Sequence, residues 1–241
     1  MDRDLSLKLA DDRTPKETRE YRCMTDINLY DSPACQRLAT QAARGRQLRI
    51  GHPPAWNQVD PPMAIEVCLC EDDYPGWLAP GDFLQLEPVT VPYQAVAWTE
   101  AEIQSHLPAV IAFTQAAMAQ PNIYLWGGTV GPNYDCSGLM QAAFASVGIR
   151  LPRDAYQQEA FTTPIDLADL RSGDLVFFGT PEKATHVGLY LGDQTYIHSS
   201  GQEQGRNGIG LDRLSPDGDA VSQAYYRQLR GAGRVTRSYH P

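Results

Sequence analysis

The stretch YDCSGL, residues 134–139, decides how the second half of this chain is expected to fold. Apolar residues follow it with the 3.6-residue period of an amphipathic helix, at Leu139, Met140, Ala143, Phe144 and Val147. Gly148 stands where such a helix would end. The pattern therefore predicts a buried helix that begins at Asp135 or Cys136.

A cysteine at the start of a helix has the setting of a nucleophile. Free backbone N–H groups and the positive end of the helix dipole favour a thiolate, and a nearby imidazole adds to this effect. We therefore expect the pKa of the Cys136 thiol to be lowered by several units. The alternative is a small buried hydrophobic residue, but the glycine-rich segment at residues 126–128 favours a reactive thiol.

Two histidines lie on strand-like segments after this helix. His186 opens the apolar run HVGLYLG, residues 186–192, and His198 lies in TYIHSS, residues 195–200. A tight turn between the runs would form a hairpin and bring the imidazoles together. We expect His186 to accept the thiol proton while His198 holds its other ring nitrogen. Each histidine alone would be interpreted as structural; the combination with Cys136 favours catalysis.

These segments resemble the NlpC family of papain-like cysteine peptidases, which cut peptides of the bacterial cell wall. The resemblance extends from about residue 99 to residue 235, and its motifs occur in the family's order. They are YLWGG (124–128), DCSGL (135–139), LRSGDLVFF (170–178), HVGLYLG (186–192) and YIH (196–198). The resemblance implies that Cys136 is the nucleophile, His186 the base and His198 the residue that orients the base.

The resemblance also implies a group that stabilises the oxyanion formed during the reaction. The phenol of Tyr124 and the backbone N–H of Cys136 are the candidates, because each can donate a hydrogen bond to a developing negative oxygen. The alternative for Tyr124 is an aromatic side chain that packs beside Trp126.

The first part of the chain has a different pattern, and we expect residues 1–86 to form a small SH3-like β-barrel with an N-terminal extension. Alternating runs such as IEVCL, residues 65–69, are separated by turn-rich stretches, for example at residues 31–33 and 52–54. The motifs NLY (28–30), GRQL (45–48) and GWL (76–78) resemble a bacterial SH3-like domain.

A linker at residues 87–98, with two prolines near its start, is expected to connect this barrel to a catalytic domain at residues 99–241. Thr99 and Glu102 form a capping-box pattern for the first helix of that domain, and Pro108 is expected to split the helix. The predicted fold class is therefore α+β: a papain-like domain, in which the helix that bears the nucleophile packs on an antiparallel sheet, preceded by the barrel.

Composition narrows the possible partners. The formal net charge of −9 and the pI of about 5.0 disfavour nucleic acids and anionic membranes. Residues 1–8 lack the apolar core of a signal peptide, and no run of eighteen apolar residues occurs, so we expect a cytoplasmic protein. Five cysteines, with Cys68 and Cys70 on one strand face, argue against disulfides. No metal or organic cofactor is expected, since Cys68-x-Cys70 lacks the usual zinc spacing.

The expected cytoplasmic location narrows the range of possible functions. A cytoplasmic enzyme meets wall peptides only as imported fragments or as new precursors, and cutting the precursors would waste them. We therefore expect a recycling peptidase. The resemblance implies that it hydrolyses the γ-D-glutamyl bond to a diamino acid, such as meso-diaminopimelate, in murein-derived stem peptides. A requirement for a free N-terminal L-Ala would spare the precursors.

Four residues are expected to contact this substrate. Tyr74, in the acidic stretch at residues 71–74, and Asp135 are the predicted contacts of the ammonium group, and Ser137 adds a hydrogen bond. Arg153 is expected to pair with a substrate carboxylate. The alternatives are a surface ion pair of Arg153 with Asp154 or with a distant acid, and an acidic stretch that is only a solvated turn.

Three other functions are kept open by the sequence. A thiol acyltransferase on a related fold would share the chemistry of cysteine and histidine. A non-catalytic wall-peptide-binding protein would keep the groove but not the reaction. A metal site formed by Cys136, His186 and His198 would be sensitive to chelators.

Overall fold

The computed structural model describes residues 19–51 and 63–241. Most of the described strands belong to two antiparallel sheets, one in each half of the chain. The predicted N-terminal extension and the predicted turn at residues 52–54 lie outside the described residues.

The first sheet has seven short strands in the order β3-β2-β6-β5-β4-β1-β7. They are β1 (Arg19–Cys23), β2 (Ile27–Tyr30), β3 (Leu38–Ala42), β4 (Gln47–Ile50), β5 (Ile65–Leu69), β6 (Pro75–Leu78) and β7 (Leu86–Pro88). A 3₁₀ helix at Pro80–Gln85 leads into β7. Every pairing is antiparallel, as hairpin-connected strands require.

Alternation of side chains produces the core of this sheet. In β5, Ile65, Val67 and Leu69 point inward while Glu66 is exposed, because successive strand residues face opposite sides. Strands β1 to β6 all contribute to one buried cluster, so the sheet curls around a single core. This arrangement agrees with the small β-barrel expected from the sequence.

Strand β7 extends further than expected. Its register against β1 pairs Pro88 with Tyr21, so Glu87 and Pro88 belong to the sheet rather than to the linker. Proline is accommodated because β7 is an edge strand, where a missing N–H donor leaves no neighbour unpaired. Residues 91–98 contain no helix or strand. The domain boundaries proposed above stay a prediction.

The second half of the chain combines four helices with eight strands in its described residues. The helices are α1 (Glu100–Met118), α2 (Cys136–Ala145), α3 (Ala155–Phe161) and α4 (Ala220–Tyr226). The strands are β8 (Thr129–Val130), β9 (Asn133–Tyr134), β10 (Thr163–Ile165), β11 (Leu175–Gly179), β12 (Ala184–Gly192), β13 (Thr195–Ser200), β14 (Gly208–Arg213) and β15 (Leu229–Arg234). Strands β8 and β9 form a small hairpin, and the others form a sheet in the order β10-β15-β11-β12-β13-β14.

Both faces of this sheet are covered. In β11, Leu175 and Phe177 join the core beneath α1 and α2, while Val176 and Phe178 join a second core with Tyr225 of α4. A strand buried on both faces is apolar throughout, which explains the continuous run LVFF in the sequence. The nucleophile-bearing helix thus packs on an antiparallel sheet, as predicted.

Helix α1 confirms one expectation and corrects another. The capping box is present: Thr99 Oγ1 accepts from the Glu102 N–H, and Glu102 accepts from the Thr99 N–H. Pro108 does not split the helix, which continues for 19 residues. Ile103 and Val110, on either side of Pro108, are fully buried, so packing holds the helix together despite the lost hydrogen bond. Of the helices in residues 19–51 and 63–241, none is both long and apolar enough to span a membrane.

Helix α2 is set into place by a close backbone contact. A Cβ atom at Gly138, in its first turn, would lie 2.0 Å from the carbonyl oxygen of Gly128. Backbone atoms cannot yield as a flexible side chain can, so only glycine lets the first turn of α2 approach this loop. The glycine-rich segment noted in the sequence therefore serves to dock the helix that begins at Cys136.

We expect Gly138→Ala to lower the free energy of unfolding by about 1–3 kcal/mol, because the added methyl forces α2 away from Gly128. Gly81→Ala is the matched control, since its Cβ would meet nothing within 4 Å, and it is expected to change stability by less than about 0.5 kcal/mol. Urea unfolding of the two variants measures both values. Equal stabilities would contradict the docking role of Gly138.

Candidate active site

A groove of about 350 Å³ lies between the two halves of the chain and is lined by both. The first half contributes Leu38 and Tyr74, and the second contributes Cys136, Tyr124 and Asp154. Clefts between domains are common ligand sites, since two surfaces can enclose a small molecule. Cys136 begins α2 and lines this groove, as the sequence pattern predicts.

The histidine pair is built by the hairpin of β12 and β13. Asp193 and Gln194 both have positive φ, +48° and +57°, as a tight hairpin turn requires. His186 and His198 lie on the same face of the hairpin, and His186 Nε2 lies 2.7 Å from His198 Nδ1. A Cβ at Gly188 would lie 2.6 Å from the Tyr196 ring and 3.3 Å from the His198 Cβ, so glycine leaves room for the two rings to meet.

A carboxylate that was not predicted from the sequence, that of Asp212, extends the histidine pair to a hydrogen-bonded row of three side chains: His186, His198 and Asp212. Asp212 Oδ2 lies 2.7 Å from His198 Nε2, and the side chains of both residues are fully buried. Asp212 also accepts from Arg206 Nε at 3.0 Å and from Ser222 Oγ at 2.9 Å. It lies 14 residues beyond His198 on β14, where Tyr196 pairs with Asp212. The alternation of side chains along β14 predicts which of them face inward, but it does not predict that Asp212 contacts the ring of His198.

Aromatic rings hold the histidines in place. Tyr225 stacks on the His186 ring with a centroid separation of 4.4 Å and an interplanar angle of 27°. Its hydroxyl is 2.6 Å from Ser200 Oγ. Phe178 and Tyr196 contact the rings of His186 and His198, respectively. This packing fixes the ring planes and excludes water from the pair.

Burial keeps both imidazoles neutral. It lowers the pKa of His186 well below the usual value, and the neighbouring His198 lowers it further. The pKa of His198 is lowered for the same main reason, although Asp212 acts in the opposite direction. Burial would raise the pKa of Asp212, but hydrogen bonds from His198, Arg206 and Ser222 hold it well below the usual value. The carboxylate is therefore the ionised member of the row.

The environment of Cys136 corrects an expectation. Burial and then the charge of Asp135 raise the pKa of the thiol to about 12, although the backbone N–H groups of Val187 and Ser137 bond to the sulfur and Arg153 also favours the thiolate. The expected lowering of this pKa is therefore wrong: desolvation outweighs the helix N-terminus. Val187 follows His186 directly, so the sulfur lies against the backbone beside the predicted base.

Tyr124 lies in the groove as a half-buried side chain. Burial raises the pKa of its phenol, and Cys136 is the next largest cause, so the phenol is within electrostatic reach of the sulfur. A phenol that stays protonated is a hydrogen-bond donor. Trp126 is 68% exposed and also lines the groove. The oxyanion role of Tyr124 stays a prediction.

Three of the residues predicted to contact the substrate, Asp135, Ser137 and Arg153, are joined to one another by hydrogen bonds. Asp135 is the N-cap of α2, and it accepts from the Gly138 N–H at 2.7 Å and the Gly127 N–H at 2.9 Å. Arg153 donates to both carboxylate oxygens of Asp135, at 3.2 and 2.6 Å, and to Ser137 Oγ at 3.0 Å. Both oxygens of Asp135 are thus occupied in the free chain. The substrate-binding roles of these residues stay predictions.

Arg153 also joins the two halves of the chain. Its side chain is 2% exposed, and its Nε donates to Thr40 Oγ1 on β3 at 2.8 Å. The interpretation of Arg153 as a surface ion pair with Asp154 is therefore wrong, because the guanidinium is buried against Asp135. An arginine suits this position, since its planar group can serve a carboxylate and two hydroxyls at once.

The residues of the acidic stretch 71–74 lie in two different environments: one faces the groove and others are buried. Tyr74 faces the groove, where its hydroxyl is 3.3 Å from Asp154 Oδ1. Glu71 and Asp72 are buried and pair with Arg46 at 3.2 and 3.0 Å, and Asp72 also accepts from Gln141 of α2 at 2.7 Å. The solvated-turn interpretation is therefore wrong for Glu71 and Asp72, and Asp72 helps to hold the barrel against α2.

Metal binding has little chemical basis among these groups. Within the described ranges, no three side chains of His, Cys, Asp or Glu are grouped so that they could hold a metal ion. One nitrogen of His198 is paired with His186 and the other with Asp212, so neither is free to bind a metal. All five cysteines of the chain are described, and each is a free thiol.

Two known families match this chain, one in each half. The NlpC/P60 family matches residues 121–230, and the family described as the bacterial dipeptidyl-peptidase Sh3 domain matches residues 29–83. An NlpC/P60 family protein from Bacillus cereus ATCC 10987 has a solved structure with a TM-score of 0.48 and 23% identity; the match covers 92% of this chain and 64% of that one.

Two curated relatives match part of the chain. The gamma-D-glutamyl-L-lysine dipeptidyl-peptidase of Bacillus subtilis is 43% identical over 79 residues, which are 32% of this chain and 27% of that protein. A probable endopeptidase of Corynebacterium glutamicum is 42% identical over 92 residues, or 38% of this chain and 42% of the relative. The chain thus spans less than half the length of either relative. The resemblance inferred from the sequence is confirmed: the chain carries an NlpC/P60 domain of papain-like fold, preceded by a bacterial dipeptidyl-peptidase Sh3 domain.

Proposed function

We propose that the chain is a cysteine endopeptidase that hydrolyses the γ-D-glutamyl bond to a diamino acid in murein-derived stem peptides with a free N-terminal L-Ala. The observation that carries this proposal is the placement of Cys136, at the start of α2, in the groove, with its sulfur bonded to the backbone N–H of Val187, the residue directly after His186. The similarity to the Bacillus subtilis gamma-D-glutamyl-L-lysine dipeptidyl-peptidase supports the choice of bond.

The reaction begins from a neutral thiol and a neutral imidazole. His186 Nε2 is engaged with His198, so Nδ1 is the nitrogen left to accept the thiol proton as the sulfur attacks the γ-carbonyl carbon. The carbonyl π electrons move to oxygen, and the backbone N–H of Cys136 and the Tyr124 phenol stabilise that charge. Collapse of the intermediate expels the amine, which takes the proton from His186. Water then attacks the acyl-enzyme by the same route and regenerates the thiol.

Tyr74 and Asp154 support recognition of a free ammonium group. Both line the groove, and the Tyr74 hydroxyl bonds to Asp154, a carboxylate that is only half-buried. Burial raises the pKa of Asp154, as expected for a carboxylate with incomplete compensation. An ammonium group bound between Tyr74 and Asp154 would supply the positive charge that compensates this carboxylate. In this proposal Asp135 is a further contact of the ammonium group, Ser137 adds a hydrogen bond and Arg153 pairs with a substrate carboxylate; all three line the groove.

The proposed biological role is recycling of wall peptides in the cytoplasm. It rests on the selectivity argument: an enzyme that requires a free N-terminal amine cuts released stem peptides and spares the precursors, whose stem is blocked at that end. Because the barrel contributes Tyr74 to the groove, the first half of the chain takes part in this selection.

We expect the purified protein to release L-Ala-D-Glu from L-Ala-γ-D-Glu-diaminopimelate. Its N-acetylated form should be cleaved about 10–100-fold more slowly, since a charged hydrogen bond contributes about 1.5–3 kcal/mol. Mass spectrometry of the products measures both rates.

Cys136→Ala should abolish release, whereas Cys68→Ala, outside the groove, should retain it; a chelator should have no effect. Release by the Cys136→Ala variant would rule out the thiol mechanism. Equal cleavage of the acetylated peptide would remove the amine selection and leave the peptidase.

Tyr74→Phe tests the contribution of the barrel to substrate binding. Loss of the hydroxyl should raise KM for the free-amine peptide about tenfold and change kcat by less than about threefold, because the ammonium contact is the same in the ground and transition states. Tyr239→Phe, whose ring contacts Phe161 away from the residues that line the groove, is the control. Steady-state kinetics separate KM from kcat, and an unchanged KM would show that the barrel does not bind the amine.

The pH dependence of alkylation tests the resting protonation state. A thiol with a pKa of about 12 is neutral at lower pH, so the rate of Cys136 modification by iodoacetamide should rise about tenfold per pH unit above pH 9 as thiolate accumulates. Peptide mass spectrometry separates Cys136 from the other thiols. A plateau that extends unchanged from pH 6 to pH 11 would instead indicate a preformed thiolate–imidazolium pair.

A further inference from the structure

We infer that Asp212, held by Arg206 and Ser222, is the positioning residue that sets the tautomer of His198 and, through it, presents the lone pair of His186 Nδ1 to Cys136. The inference rests on the proposed peptidase mechanism for its kinetic consequences. The hydrogen-bonded row that carries it is present in the structure independently of that mechanism.

Asp212 is the one member of the row His186–His198–Asp212 whose hydrogen-bonding role is unambiguous. An ionised carboxylate is an acceptor only, and Asp212 Oδ2 lies 2.7 Å from His198 Nε2, so that nitrogen carries the proton. In a neutral imidazole the other nitrogen is then an acceptor. His198 Nδ1 therefore accepts, and His186 Nε2, 2.7 Å away, donates. The lone pair of His186 is left on Nδ1, which the proposed mechanism needs.

The second step concerns what keeps Asp212 ionised in a buried position. Arg206 donates to both of its oxygens, from Nε at 3.0 Å and also from Nη2. Ser222 Oγ adds a third donor at 2.9 Å. A buried charge requires such a partner, and Arg206 can supply it because its own side chain is 30% exposed. The ion pair is neutral as a unit, so it orients the imidazoles without protonating them at rest.

The third step concerns the moment when His186 holds the thiol proton. Asp212 can then stabilise the positive charge through His198, because the row is continuous and lies in a site from which water is excluded. His198 donates to the carboxylate and accepts from His186, so neither ring must rotate during the reaction. A row without the carboxylate would hold the rings in place but leave both tautomers accessible.

The test is Asp212→Asn in the full chain, which retains the size of the side chain but removes the charge. We expect kcat to fall roughly 10²–10⁴-fold, as found when an orienting aspartate in a catalytic triad is replaced by asparagine, with KM changed less than about threefold. Asp212→Glu, which restores a carboxylate, should recover at least about tenfold of the loss.

Asp174→Asn is the matched control. Asp174 is a buried carboxylate of the same domain, paired with Arg234 at 2.8 Å, and it lies outside the row. The substitution should lower stability but leave kcat within about threefold. An equal loss of kcat in both variants would reduce the role of Asp212 to general support of the fold, and would overturn the inference.

Nuclear magnetic resonance of the ring nitrogens tests the tautomers without any substrate. In the unsubstituted chain, long-range ¹H–¹⁵N spectra should show His186 and His198 protonated at Nε2 only, whereas Asp212→Asn should introduce Nδ1–H signals. The chain has five histidines, so assignment by substitution is practical. Unchanged tautomers in Asp212→Asn would overturn the inference. Changed tautomers in a chain without peptidase activity would support it while the proposed function fails.

A double-substitution cycle tests whether Asp212 acts through His186. Removing Asp212 in a His186→Ala background should cost no further activity, because residues that act as one unit are not additive. Independent, multiplicative losses would overturn the proposed route.

Discussion

The buried ion pair of Asp135 and Arg153 is the interaction on which the rest of the site depends. Asp135 caps the helix that begins at Cys136, and Arg153 reaches from this cap to Thr40 on the barrel. One pair therefore fixes the start of the nucleophile helix and the position of the first domain beside it. Removing one partner of such a pair typically costs about 3–5 kcal/mol, since the other charge is left buried and unpaired.

The charged groups of the site occur in pairs of opposite sign. Asp135 is matched by Arg153, and Asp212 by Arg206, so each buried carboxylate has its own guanidinium. Cys136 and the imidazoles between these pairs are neutral at rest, because burial disfavours the charged form of each. Proton transfer then has to be driven by the approach of the substrate carbonyl. The thiol and the imidazoles are therefore weakly reactive until a substrate is bound.

The two domains contribute different things to the groove. The NlpC/P60 domain supplies the thiol, the imidazoles and the carboxylate row, all on or beside elements of one sheet. The barrel supplies Tyr74, which meets Asp154 across the boundary. Asp72 secures that boundary by its hydrogen bond from Gln141, and Arg46 pairs with both Asp72 and Glu71 within the barrel. In the proposed function, the NlpC/P60 domain carries the chemistry and the barrel adds Tyr74 to the recognition of the substrate.

The sequence by itself determined the local elements: the helix after Asp135, the hairpin that carries His186 and His198, the capping box at Thr99 and the barrel strands. Each follows from the spacing of neighbouring residues, which fixes side-chain direction within one helix or hairpin. Only the tertiary structure decided that Arg153 pairs with Asp135, that Asp212 backs His198, and that the pKa of Cys136 is raised. These outcomes depend on burial and on partners distant in the chain, which periodicity does not encode.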